Sequence, residues 1–200
     1  MVSTSTSEAF PGFSSTYELG EGSFKTFRGD YSMSRDDAWR VLRAEKVPSE
    51  PVEVRYSMGR SKPSDLIFTT LATPVIISDR VVGILKGEGF TGWQTYLIRL
   101  FGKDGVRIRG YHGLAVHGRC GPLDDSRSVK RDKILPSGIF PRWYGLFFDP
   151  ATWDGSDLFM TSGPQAWVFV VEAVKRAFEK AKVTNVEFTA LDQLERARLK

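Results

Sequence analysis

Apolar and polar positions alternate along this chain in short runs, and the runs set its elements. Val52, Val54 and Tyr56 alternate with Glu53 and Arg55, the period-two pattern of a half-buried strand. Thr91–Phe101 alternates in the same way, with Trp93, Thr95 and Leu97 on one face and Tyr96, Ile98 and Leu100 on the other. Asp104-Gly105 then supplies hairpin turn chemistry, and Val106-Arg107-Ile108-Arg109 resumes the period. Leu114 and Val116 mark another strand, and Trp143 to Phe148 a further one before a turn at Pro150 to Gly155. Gly118 to Lys133, rich in Gly, Asp, Ser and Arg, reads as a long polar loop of the kind that carries function.

Four segments have helical spacing instead. Ser34 followed by Asp37 resembles a capping arrangement, and Ala38, Val41, Leu42 and Glu45 predict a helix over about 35–46, ended by Pro48 and Pro51. Ser78 can cap a helix carrying Val81, Val82, Ile84 and Leu85, with Gly87 available to close it. Val171, Val174, Ala177, Phe178 and Ala181 form an apolar stripe, with Lys175, Arg176, Glu179 and Lys180 outside it. Leu191, Leu194 and Leu199 mark a last helical segment.

The second and third helices belong to a longer internal similarity. Ser64-Asp65-Leu66-Ile67-Phe68-Thr69 recurs 92 residues later as Ser156-Asp157-Leu158-Phe159-Met160-Thr161. After one inserted residue the match resumes at a shift of 93, with Val75-Ile76-Ile77 onto Val168-Phe169-Val170 and Thr91 onto Thr184. Each copy reads as a Ser-Asp-Leu opening, a short apolar segment, an amphipathic helix and a strand. The expected fold is a single α+β domain. It has a mainly antiparallel, strongly twisted sheet, two or three packed helices and a possible internal duplication. Residues 1–51, with Phe10, Phe13, Tyr17, Phe24 and Phe27 spaced through their Ser-, Thr- and Gly-rich first part, read as a partly loose extension docking on a core formed by 52–200.

Composition narrows the function classes. Two hundred residues at 22.4 kDa make one domain with a sizeable core. The net charge of +4 is too small to identify a nucleic-acid or membrane binder, but it is unevenly placed. Residues 105–142 hold eight basic side chains against three acidic ones. One cysteine, Cys120, allows no intramolecular disulfide and no zinc framework. The start MVSTSTSEAF lacks a secretory pattern, and the longest run of large apolar residues, Trp167–Val171, falls far short of the roughly 20 needed to span a bilayer. A soluble cytoplasmic protein is expected, with no membrane contact.

Catalytic chemistry finds little support. His112, His117 and Cys120 invite a nucleophile or metal reading, but the two histidines lie an odd number of residues apart and no second Cys completes a metal set. Asp124, Asp125, Asp149, Asp154 and Asp157 offer carboxylates for acid–base work, yet Asp65 and Asp157 look like caps or turn formers. Gly110, Gly113, Gly118 and Gly121 form neither of the phosphate-binding glycine motifs. No catalytic residue, cofactor or metal is assigned. Arg107, Arg109 and Tyr111 share a strand face by parity, and Arg119, Arg127 and Arg131 follow with Lys130, Lys133 and Arg142. Trp153, in a turn, is the tryptophan best placed for exposure. These seven named residues, Arg107, Arg109, Tyr111, Arg119, Arg127, Arg131 and Trp153, are the partner-contact candidates. An acidic protein surface and a phosphate backbone are the two ligands a basic, aromatic-bearing face would suit.

PSDLIFTTLATPVIISDRVVGIL (63–85), TGWQTYLIRL (91–100), GYHGLAVHGRCGPLDDSRS (110–128) and DGSDLFM (154–160), followed by Val174, Phe178, Thr184-Asn185 and Phe188, resemble in that order the Imm-eleven family of bacterial immunity proteins. The resemblance covers about residues 52–190 and implies a non-enzymatic cytosolic protein that binds and masks a toxin domain of a polymorphic toxin system. The family brings no catalytic residues to carry over. The expected partner is a cognate toxin with an acidic or mixed surface; the alternative is a nucleic-acid-binding accessory protein using residues 105–142.

Overall fold

Strands dominate the chain, and most of them pair antiparallel. The computed structural model describes residues 16–20, 28–58, 63–69, 75–163 and 167–196. In chain order these form β1 (Thr16–Gly20), β2 (Arg28–Tyr31), α1 (Arg35–Leu42), β3 (Val52–Met58), β4 (Leu66–Phe68), β5 (Val75–Ser78) and α2 (Asp79–Gly87). Next come β6 (Trp93–Tyr96), β7 (Ile98–Phe101), β8 (Arg107–Ile108), β9 (Tyr111–Val116), β10 (Gly118–Cys120), β11 (Val129–Leu135) and β12 (Gly138–Tyr144). The chain continues with β13 (Leu158–Thr161), β14 (Phe169–Val171), α3 (Glu172–Lys180), β15 (Glu187–Ala190) and β16 (Glu195–Arg196). This is the expected single α+β domain with three helices. Among the described residues no helix is long and apolar enough to cross a membrane.

The Ser-Asp-Leu similarity corresponds to two matching sheets. One runs β4-β5-β9-β6; the other runs β13-β14-β1-β15, with β10 added outside β13. Registers agree residue for residue: Ile67 faces Ile76 as Phe159 faces Phe169, and Leu66 faces Ile77 as Leu158 faces Val170. Gly113 lies between Ile76 and Tyr96, and Glu18 lies between Phe169 and Thr189, again at the shift of 93. Hence β1 and β9 are equivalent strands, and they are exchanged. The lead strand of the first half fills the sheet of the second, and the lead strand of the second half fills the sheet of the first. Residues 16–20, expected within a docking extension, therefore lie inside a sheet; Phe10, Phe13, Phe24, Phe27 and Leu199 lie outside the described residues.

The Asp of each copy also grips the Thr of the other. Asp157 accepts from the Thr91 amide at 2.8 Å and its hydroxyl at 2.9 Å, and Asp65 accepts from the Thr184 amide and hydroxyl at 3.0 Å each. Leu158 N–H reaches Thr91 O and Leu66 N–H reaches Thr184 O, extending each brace along the backbone. Asp65 further accepts from Ser78 Oγ and Arg80. Burial pushes its carboxyl up, but the bonds from Thr184 and Ser78 and the Arg80 charge outweigh that and hold it below the usual carboxylate range.

Alternation sorts the apolar side chains into two cores. Leu66, Phe68, Val75, Ile77, Leu114 and Val116 face a larger cluster shared with Phe159, Phe169, Val174 and Phe178. Ile67, Ile76 and Ala115 point the other way, onto Val41, Val52, Val54, Ile98 and Leu100. β4, β5 and most of β9 are thus buried on both sides, with α2 and α3 in the larger core and the β2-β3-β7-β8 sheet in the smaller one. Tyr96 lies flat over its cross-strand neighbour Gly113, where a Cβ would come within 2.1 Å of Cζ.

Several expectations need correction. The first helix stops at Leu42 instead of residue 46, because Ala44 turns left-handed (φ 54) while Arg43 buries its guanidinium against Thr161 O and Gly163 O. Thr91–Phe101 is not one strand. It divides at exposed Leu97, β6 pairing with β9 and β7 with β3 in the other sheet. The last helical segment is a single 3-10 turn, Leu191–Gln193, followed by β16. Gly118 to Lys133 is not a continuous loop, since β10 and much of β11 lie within it.

Two stability tests follow from these contacts. Burial, with the Glu187 charge nearby, pushes the Glu18 carboxyl from 4.5 up to about 7. Between those values the unfolded chain ionises while the folded chain keeps its proton, so stability falls as pH rises from about 4.5 to 7 and is flat above. The full loss is on the order of 3 kcal/mol; Glu18→Gln, followed by urea melts between pH 4.5 and 8.5, is expected to remove most of that slope. Asp157→Ala is expected to cost about 1–2 kcal/mol, with Asp65→Ala costing more because Ser78 and Arg80 also lose their acceptor. Thermal melts of the two variants check that order.

Candidate interaction surface

The structure separates the seven candidates that the sequence grouped. Arg107 lies on β8, paired with β7, whereas Tyr111 opens β9 in a different sheet. Gly110, at φ 82, turns the chain between them, so parity across residues 107–111 does not define a common face. Arg107 and Arg109 are exposed, and Tyr111 is half-buried beside the smaller core. Arg119 is a structural clamp. Its guanidinium donates to the carbonyls of Val116 and Gly118 at 2.8 Å and to that of Arg43. Trp153 is not an exposed anchor either: its ring sits 5.6 Å from Phe159, and its indole N–H donates to Ser156 O at 3.1 Å.

Carboxylates and thiol take structural roles as well. Asp124, Asp149 and Asp154 accept from the amides of Ser126, Ala151 and Ser156, each two residues ahead, the local turn role that was expected of Asp65 and Asp157. Asp154 also accepts from the Arg119 amide at 2.7 Å. His112 Nε2 lies 2.6 Å from Asp79 Oδ1, while His117 is exposed between β9 and β10. Burial pushes the Cys120 thiol up to about 12, which removes the thiolate a nucleophile needs. Among the described residues no three His, Cys, Asp or Glu side chains gather as metal ligands.

Arg127 and Arg131 point to a different feature. β11 and β12 form a hairpin of seven cross-strand pairs, from Val129 opposite Tyr144 to Leu135 opposite Gly138. Pro136-Ser137 makes the tip. Nearly all of β11 and the outer part of β12 are exposed, and β16 pairs with the hairpin only at its base, through Trp143 and Tyr144. We call it the arm. Ile134 and Ile139 stand opposite one another near the tip at 80% and 67% exposure, and Val129 and Phe140 are exposed too.

Below that apolar tip the arm is basic. Lys130, Arg131, Lys133 and Arg142 outweigh Asp132. Arg131 stacks 5.3 Å over Tyr144, and Arg127, at the foot of the arm, 4.4 Å over Phe147. Glu195 on β16 gathers Lys133 Nζ at 2.9 Å, Tyr144 OH at 3.2 Å and Arg142 Nε at 3.3 Å, fixing the base. The hydrogen bond and charge of Lys133 hold that carboxyl below its usual range. Lys130 and Arg131 remain exposed to a ligand.

Sequence reasoning found the charge of this region and missed its shape. One signal was present, the turn chemistry of Pro136-Ser137-Gly138, but Val129 to Leu135 shows no apolar alternation. The polar character of the run obscured it. No protein-family model matches the chain, and no curated protein matches it.

The arm and the clamp residues should respond oppositely to mutation. Trp153→Ala is expected to cost about 2–3 kcal/mol, because it opens a gap against Phe159. Ile134→Ser, at a site 80% exposed, is expected to stay within about 0.5 kcal/mol of the parent. Urea denaturation of both variants decides whether Trp153 belongs to the core.

Proposed function

We propose that this chain is a non-enzymatic interaction protein that binds and masks a protein partner through the β11–β12 arm. Following the resemblance to the Imm-eleven family, we take the partner to be a cognate toxin domain met in the cytoplasm, with an apolar cleft rimmed by acidic groups. The arm's exposed Ile134–Ile139 pair on a basic stalk carries this reading.

The physical argument rests on what folding does not need. A two-stranded hairpin is marginal by itself, and exposing four large apolar side chains on it gains the fold nothing. In the corresponding stretch of the first half, between lead strand and Asp-bearing strand, the chain builds β2, α1 and β3 and buries Val41, Leu42, Val52 and Val54. The second half buries Cys120, Leu146 and Phe148 in that stretch but gives residues 129–144 to an open arm instead. Excess positive charge opposes pairing with another copy of the same arm and speeds encounter with an acidic surface. A phosphate backbone would use the basic residues but has no need of the isoleucine pair, so a protein is the better fit.

Co-expression with a toxin encoded beside its gene tests the role. Protection of the cells is expected, and absence of a toxin-like neighbour or failure to protect defeats the immunity reading. Ile134→Asp with Ile139→Asp is expected to weaken binding at least 100-fold, mainly through dissociation, while the thermal melt is unchanged. Lys130→Glu with Arg131→Glu should slow association about tenfold at low salt. If the isoleucine variant still protects as the parent does, the arm is not the docking surface. Tight, salt-sensitive binding of single-stranded DNA by the parent, lost in the charge variant, would point to nucleic acid instead.

A further inference from the structure

The exchange of β1 and β9 makes each half of the chain a partner for the other. Without β1, strands β14 and β15 would face an empty slot with bare backbone groups, and Leu19 would leave a hole in the larger core. Without β9, strands β5 and β6 would lose theirs, together with Leu114, Ala115 and Val116. The Asp65–Thr184 and Asp157–Thr91 braces cross the same boundary, as does the contact of Arg43 with Thr161 and Gly163. Leu66 O also accepts from the Asn185 side chain.

The covalent link between the halves is slight by comparison. β7 and β8 pair through two residues each, Leu100 with Ile108 and Phe101 with Arg107. Lys103, Asp104, Gly105 and Val106 are exposed, and Gly105 and Gly110 carry positive φ. The turn is held by Gly102 N–H to Val106 O and by Val106 N–H to Asp104 Oδ1.

We propose that the two halves recognise each other through the exchanged strands independently of this link, and that the same slots accept a second copy of the chain. Residues 16–101 of one copy then close on residues 107–196 of another, and reciprocally, giving a dimer with two complete folds. The occupant is specified by register: a strand with leucine at the position of Leu19 or Leu114, carried by a half that returns its own Asp–Thr brace. The arm plays no part, so this recognition stands or falls apart from the proposed function.

A protease site inserted between Lys103 and Asp104 of the full chain, and cut after purification, tests the first part. The cut protein is expected to keep its circular dichroism and elute at the size of the intact monomer. Separated in urea, neither half should refold alone, and equimolar mixing should restore the original spectrum and size. Dissociation of the cut protein in buffer, or refolding of either half as a monomer, overturns the proposal.

Deletion of Lys103–Val106 tests the second part. It leaves Gly102 alone between Phe101 and Arg107, cross-strand partners that one residue cannot join in a hairpin. The expected product has twice the monomer mass and native circular dichroism; a folded monomer overturns exchange with a second copy. Should this variant not fold, two differently tagged parent chains refolded together at high concentration decide the matter. Co-purification of the tags supports exchange, and its absence at every concentration overturns it.

Discussion

A strand inside a sheet must have a partner on each side, because buried backbone N–H and C=O groups left unpaired cost more than most side-chain contacts return. In this protein that constraint links two chain halves that each lack one strand. β5 and β6 are not neighbours in their sheet, nor are β14 and β15 in theirs; each pair is joined by a strand from elsewhere in the chain. The helices, the two cores and the Asp–Thr braces are arranged around those insertions. Leu19 and Leu114, neighbours of Glu18 and Gly113 in register, anchor equivalent places in the larger core.

Within that repeat the halves have diverged where packing allowed it. Gly92 and Asn185 occupy equivalent left-handed positions, and Asn185 uses its side chain to reach Leu66 O. Gly92 has no such freedom, since a Cβ there would meet Leu158 O at 2.0 Å. Likewise the Tyr96–Gly113 pair of one sheet is Thr189–Glu18 in the other, which leaves an acidic group in a half-buried central strand. Larger departures fall between the lead strand and the Asp-bearing strand. There one half covers the first sheet, and the other extends the arm.

Local chemistry was legible from the residues. Ser34 and Ser78 cap the helices they were expected to cap, whereas Asp65 and Asp157, expected to cap or form turns locally, accept instead from the distant amides of Thr184 and Thr91. What sequence reading could not supply was partner choice. Asp65 and Thr184 lie far apart in the chain, and nothing local says that each Asp serves the other copy's Thr. The same gap explains the site. Basic residues concentrate between 105 and 142 in the sequence, but the fold scatters them: Arg107 lies on β8, Arg119 finds backbone carbonyls, and Trp153 finds Phe159 through contacts made only in the folded chain. Parity across Gly110 misled for a simple reason: period two holds within one strand, and φ 82 ends the strand.

The placement of β1 also bears on how the molecule is made. Thr16–Gly20 is synthesised well before both strands that flank it, β14 and β15. During synthesis the first sheet can assemble once β9 has emerged, while the second must wait for β14 and β15. Its lead strand meanwhile has its backbone groups unsatisfied by either neighbour, for about ten seconds or more at ordinary rates of elongation. Closure of the second sheet is therefore a long-range event, the slow kind of step in folding.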